Sequence, residues 1–183
     1  MLKNYSKSNR YVITGVPSSG KTTVLEELKK RGFVIYPEAA RVLIDKEIAK
    51  GKSIKDIRRN EAEFQKKVLM IKVGTERLAP KDKVVFFDKA IPDSIAYYQV
   101  CGLDPEEVLK FCYKKQYKKI FFFEQLPFEN DYARVEDNKT VKNLNKLLKK
   151  GYEDLGYKVI SIPAISVQER VEKILSEIND CQN

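Results

Sequence analysis

The sequence predicts an α/β fold with a doubly wound parallel sheet flanked by helices. Three observations point to it. Five short apolar runs rich in β-branched and aromatic residues recur along the chain, the pattern of strands buried on both faces. Segments with helical spacing separate them, and strands alternating with helices imply parallel crossovers. Between the first run and the first helical segment lies the glycine-rich stretch "GVPSSGKT".

The first strand is Tyr11–Thr14, followed by a helix over Lys21–Arg31, which Gly32 stops. The run Phe33–Ile35 is the second strand, and Pro37 closes it ahead of a helix over Ala39–Lys50. From Ile54 to about Leu78, Ile57, Glu61, Phe64, Val68, Ile71 and Leu78 follow a helical spacing with one polar break. Val84–Phe87 is the third strand, with a helix over Ile91–Val100 behind it. Pro105 after Asp104 suits the start of a helix reaching Lys115. Ile120–Phe123 and Lys158–Ile162 are the last two strands, followed by helices over Asn138–Leu155 and Val167–Ile178 respectively. No repeat, linker or low-complexity tract interrupts the pattern, so residues 1–183 read as a single domain long enough to bury a core.

"GVPSSGKT" matches G-x-x-x-x-G-K-[ST] from Gly15 to Thr22, between a strand and a helix as that motif requires. Such a P-loop turns its backbone amides inward onto phosphate oxygens, and the helix N-terminus adds partial positive charge. Gly15, Pro17, Ser18, Ser19, Gly20, Lys21, Thr22 and Thr23 are therefore the candidate nucleotide-binding residues. Lys21 reaches the β- and γ-phosphates, and the Thr22 hydroxyl ligates Mg²⁺. The second Mg²⁺ residue should close an apolar strand with a carboxylate. Asp88, at the end of "VVFFD", does so.

Composition narrows the chemistry. The chain holds no histidine, which excludes a Ser-His-Asp triad, a histidine-zinc site and imidazole acid-base catalysis. Cys101, Cys112 and Cys181 show no paired spacing and read as reduced thiols of a cytoplasmic protein. The polar, basic N-terminus does not read as a signal peptide, and no apolar run reaches the ~20 residues of a membrane span. A net charge of +9 favours anionic partners, nucleotides first. Nucleic acid is a weaker candidate, because no aromatic-interleaved basic motif accompanies the charge.

Among proteins with this loop, a GTPase switch needs an Asn-Lys-x-Asp clamp. "NKTV" at Asn138–Val141 lacks its aspartate. A ring-forming ATPase needs an extra helical domain for which the chain has no room. A small-molecule kinase needs acceptor-binding groups after the second strand and a basic lid before the last. "PEAAR" supplies Glu38 as candidate base and Arg41 as candidate acceptor ligand. An exposed Glu-Arg pair at a helix start would look the same. The long polar segment "QLPFENDYARVEDNKT" supplies the lid, with Arg134 or Lys139 reaching over the phosphates.

"ITGVPSSGKTT", "YPEAARVLI", "VFFDKAIPDSIAYY", "DYARVED" and "LGYKVISIPAISVQERVEKIL" together resemble the family of small P-loop proteins grouped as AAA-type ATPases and nucleotide kinases. The resemblance runs from about Arg10 to Leu175. It implies a P-loop NTPase fold with a five-stranded parallel core, similar to deoxynucleoside, thymidylate and ribosylnicotinamide kinases. It maps the phosphate loop to Gly15–Thr22, the strand-end aspartate to Asp88 and a Pro-Asp-Ser element to Pro92, Asp93 and Ser94. Many members carry arginine after that aspartate, where this chain has Lys89, and two adjacent lid arginines, where it has "NKT". One branch resembles a GTP- and phosphoinositide-binding adaptor.

The expectation is an ATP- and Mg²⁺-dependent phosphotransferase acting on a small hydroxylated or nucleotide-like acceptor. Lys21, Glu38, Asp88 and Arg134 are its catalytic candidates, and Glu38, Arg41, Asp93 and Ser94 surround the acceptor. The alternative is a nucleotide-dependent binding module that uses ATP or GTP, hydrolyses slowly or not at all, and recognises an anionic partner.

Overall fold

The computed structural model describes residues 9–112, 116–126 and 138–179, the side chains of 138–141 excepted. Five parallel strands form one sheet: β1 (Arg10–Thr14), β2 (Val34–Tyr36), β3 (Val85–Asp88), β4 (Lys119–Phe123) and β5 (Val159–Ile162). Their spatial order is β2-β3-β1-β4-β5. The chain leaves β1 towards one edge and later returns to its other side. The carboxyl end of β1 is thus the switch point where such sheets take ligands.

Tyr11 and Ile13 of β1 point to one face, where Phe86, Phe121 and Phe123 meet α1 (Lys21–Lys30) and α8 (Val167–Asn179). Val12 points to the other face, beside Phe87, Ile120 and Tyr152. Helices α5 (Asp93–Val100) and α7 (Asn138–Asp154) cover the next layer there, through Ala96, Leu144 and Leu148. β1, β3 and β4 are buried along nearly their whole length, as two-faced strands require. β2 and β5 depart from the sequence expectation. Both are sheet edges, so one flank is uncovered and most of their residues are only half-buried.

The segment from Ile54 divides into α3 (Ile54–Ile57) and α4 (Glu61–Leu78). Asn60 makes the break: its side chain accepts a hydrogen bond from the Glu63 amide and caps α4. α2 (Ala39–Ile48) packs on α4 through Ala39, Leu43, Phe64 and Val68. Leu78, expected on the buried stripe, is exposed at the end of α4. The buried face runs instead through Phe64, Gln65, Val68, Leu69, Lys72 and Glu76, so its last turns are polar. The helix after Pro105 is shorter than expected, α6 (Glu106–Leu109). Among the described residues, no helix is long and apolar enough to cross a membrane.

Candidate active site

Gly15 begins the phosphate loop at φ 137°, and a Cβ there would lie 2.6 Å from the Phe123 carbonyl oxygen. Only glycine permits that approach. Gly20 ends the loop at φ 81° and starts α1 with no side-chain cap, which leaves the first amides of the helix to a ligand. Lys21 Nζ donates to the carbonyls of Gly15 (3.1 Å) and Val16 (2.8 Å) and to Ser19 Oγ (3.1 Å). Burial, with the Lys89 charge adding, lowers the Lys21 ammonium to about 8, against the opposing pull of Asp88, Glu38 and Asp93. Thr22 and Thr23 are exposed at the helix start, as are Pro17 and Ser18 at the loop tip.

Asp88 ends β3 level with Ile13 of β1, next to the loop. It is 5% exposed, and its Oδ1 has no hydrogen-bond partner among the described residues. Burial and the neighbouring Glu38 charge raise its carboxyl to about 6. An orphaned carboxylate oxygen and a threonine hydroxyl are hard donors suited to Mg²⁺. The residues present therefore fit that ion.

Lys89 follows in the left-handed region (φ 59°), its amide bonded to the Ile13 carbonyl at 3.0 Å. This turn sends its side chain to Glu38 Oε1 (2.5 Å) and the Tyr97 hydroxyl (2.9 Å). Burial alone would raise the Glu38 carboxyl. Lys89, with Lys21 and Lys72 behind it, more than offsets burial and holds it at about 2. Burial likewise opposes the Lys89 ammonium, but Tyr97 and Glu38 keep it well above the usual lysine range. Glu38 and Lys89 border a cavity of about 110 Å³ whose other walls include Pro17, Phe64, Val68 and Lys72. One wall is thus the phosphate loop and another is α4.

Three expectations change. Arg41 is exposed on α2 and does not line the cavity, because α2 turns it away from the sheet; Lys89 takes the place opposite Glu38. Asp93 is buried and turned inward, accepting hydrogen bonds from the Thr14 and Tyr152 hydroxyls and from the Ala90 amide at 2.7 Å. It ties α5 and α7 to the end of β1. Ser94 is buried as well and accepts a hydrogen bond from Lys72 at 3.0 Å. Arg134 lies outside the described residues, and Lys139 sits in the first turn of α7.

A residue outside the cavity also escaped sequence reasoning. In "VQERVEKIL" Arg170 looks like the solvent face of a helix, yet it is 2% exposed. Its Nη1 donates to the Ser19 carbonyl (2.7 Å) and its Nε to the Pro163 carbonyl (2.9 Å). The guanidinium lies 5.1 Å from the centre of the Phe123 ring. Arg170 thus joins the loop after β5 to the phosphate loop and puts a buried positive charge behind it. A Cβ on Gly20 would meet Nη1 at 2.8 Å. Gly20→Ala should push this arginine off Ser19, strain the backbone at φ 81° and weaken triphosphate binding about 10-fold or more. Titration with a fluorescent triphosphate checks it; wild-type affinity would show that the loop tolerates the methyl group.

Comparison with known proteins fits this geometry. A family model described as "AAA domain" matches residues 10–170. A search of curated proteins finds no match. Among solved structures, deoxyadenosine kinase from M. mycoides aligns with a TM-score of 0.65 at 15% identity, over 94% of this chain and 99% of that one. Thymidylate kinase from Ehrlichia chaffeensis aligns at 0.65 and 14%, over 95% and 100%. Shikimate kinase from Aquifex aeolicus aligns at 0.58 and 22%, over 94% and 98%. At these identities the likeness is one of fold, a P-loop kinase fold of five parallel strands flanked by helices. With the phosphate loop and the strand-end aspartate in place and the family match spanning residues 10–170, the chain belongs to the AAA domain family of P-loop proteins.

Proposed function

We propose that this protein transfers the γ-phosphoryl group of ATP to a hydroxyl of a small acceptor held in the cavity beside Glu38. The observation that carries the reading is the Glu38–Lys89 pair, which borders a cavity walled on one side by the phosphate loop. A protein that only hydrolysed or sensed a nucleotide would not need a second pocket there.

The loop amides and Lys21 hold the β- and γ-phosphates, and Thr22 and Asp88 would hold Mg²⁺, which neutralises charge on the phosphate oxygens. The acceptor hydroxyl oxygen bonds to the γ-phosphorus while the bond to the β–γ bridging oxygen breaks, its electron pair leaving with ADP. The hydroxyl proton passes to Glu38. Lys89 keeps that carboxylate ionised and aimed into the cavity. A carboxyl held at about 2 is a weak base, which suits a loose transition state that asks for little proton removal. Positioning supplies most of the rate.

The test is ADP formation from ATP or GTP, with and without a panel of nucleosides, nucleotides and hydroxy acids. Stimulation by an acceptor supports the kinase; slow hydrolysis indifferent to every acceptor would favour the nucleotide-dependent binding module. In the same assay Glu38→Gln should reduce acceptor-dependent turnover about 100-fold, the low end for a general base. Full turnover in that variant would remove Glu38 from the mechanism.

A further inference from the structure

The cavity has one side chain whose chemistry the phosphate-transfer site leaves unused. Lys72, on α4, is 5% exposed and lines the cavity. An ammonium has three hydrogens to donate. Its one hydrogen bond among the described residues goes to Ser94 Oγ at 3.0 Å, and no carboxylate there pairs with it. The two acids that act on it most strongly apart from Glu38, Asp93 on α5 and Glu76 one turn along α4, are engaged elsewhere. Asp93 takes Thr14, Tyr152 and the Ala90 amide. Glu76 takes the Ile91 amide (2.8 Å), Gln116 Nε2 (2.6 Å) and the Tyr117 hydroxyl (2.6 Å). Glu38 is bonded to Lys89.

The other two cations of the wall, Lys89 and Arg58, are committed too, Lys89 to Glu38. Arg58 pairs with Glu61 at 2.6 Å and lies over the Phe64 ring at 4.7 Å. Lys72 is therefore a buried amine whose ammonium form has no direct carboxylate partner among the described residues, beside a partly open cavity. Burying such a charge unpaired is unfavourable, and burial accordingly lowers its basicity. An anionic ligand oxygen in the cavity would supply the missing partner. Size is a second constraint. At about 110 Å³ the cavity is well below the roughly 300 Å³ at which drug-sized pockets begin. It admits a compact ligand, with Phe64 and Val68 as its apolar wall.

We infer that the acceptor is a compact alcohol bearing an oxyanion, carboxylate or phosphate, which Lys72 binds while Glu38 faces the hydroxyl. This rests on reading the cavity as the acceptor site. In that arrangement Lys72 fixes the distal end of the molecule, and the reacting hydroxyl comes to rest against the phosphate loop.

The experiment measures binding by calorimetry and turnover by ADP formation, using the full chain with ATP and Mg²⁺. The probes are shikimate and glycerate for carboxylates, glycerol 3-phosphate for phosphate, glycerol as the matched neutral alcohol, and thymidine and deoxyadenosine as nucleosides. At least one anion should bind at millimolar concentration or better and exceed glycerol; which one binds separates carboxylate from phosphate. Lys72→Met should weaken that anion about 10- to 100-fold, the loss of a charge-assisted hydrogen bond, and leave glycerol affinity unmoved. Lys72→Arg should restore most of the loss, and it serves as the test if the methionine variant does not fold. Anion binding that depends on Lys72 but yields no ADP would keep the inference and remove the kinase reading. ADP formation with nucleosides or glycerol alone would keep the kinase reading and overturn the inference. Failure of every anion to bind, or binding indifferent to both Lys72 variants, would overturn it as well.

Discussion

Lys21→Ala should abolish nearly all triphosphate binding while leaving the fold intact. Lys21 Nζ donates to two loop carbonyls and to Ser19 Oγ. These are weak, neutral partners that a triphosphate would replace with charged oxygens. Hydrogen bonds to charged groups are worth about 1.5–3 kcal/mol each, and Lys21 can offer more than one. A loss of affinity of about 100-fold or more follows. The free ammonium titrates near 8, and only its charged form attracts phosphate. Wild-type affinity should therefore hold below pH 8 and fall as pH rises through it, and Lys21→Ala should flatten that dependence. Triphosphate titrations of both proteins from neutral to alkaline pH decide the matter. Unchanged affinity in the variant would mean that the loop amides bind unaided.

Asp88→Asn should do opposite things to activity and to stability. Removing the charge that Mg²⁺ needs should lower turnover about 100-fold, on the order of 3 kcal/mol in the barrier. The same change should raise the melting temperature of the nucleotide-free protein. Asp88 is buried with Oδ1 unpartnered among the described residues, and its carboxyl is raised from 3.8 to about 6. A raised acid binds its proton more tightly folded than unfolded, so its stabilising effect is complete below 3.8 and is lost as pH rises through 6. At neutral pH the ionised side chain destabilises by roughly 2–3 kcal/mol, which asparagine avoids. The gain in melting temperature should shrink as the pH falls from 7 to 4. A variant that melts lower at neutral pH would show that the Asp88 charge is compensated without metal.

The order of strands and helices was legible because it rests on local signals: apolar runs, Gly32, Pro37 and the glycine-lysine loop all act within a few residues. The acceptor side was less so. Lys72 and Glu76 sit on the buried face of α4 where periodicity looks for leucine, so the apolar spacing passes them over. Lys89 was noted only as a departure from arginine; its pairing with Glu38 depends on a left-handed turn that the sequence does not mark. Arg41 had the right spacing from Glu38 and the wrong direction. Arg170 was invisible because its partners, Ser19 and Pro163, are backbone carbonyls, which carry no sequence signature.

The cavity wall on α4 is built from Phe64, Gln65, Val68 and Lys72, on a single face of one helix. The groups proposed to hold the phosphates and their metal come from the β1–α1 loop and β3, and Arg170 braces the loop from α8. Heredity can therefore edit the two halves separately. On the proposed reading, a few substitutions along one helix would retarget the cavity without a change in the nucleotide site, so lineages sharing this scaffold would be free to diverge in acceptor while keeping one donor chemistry.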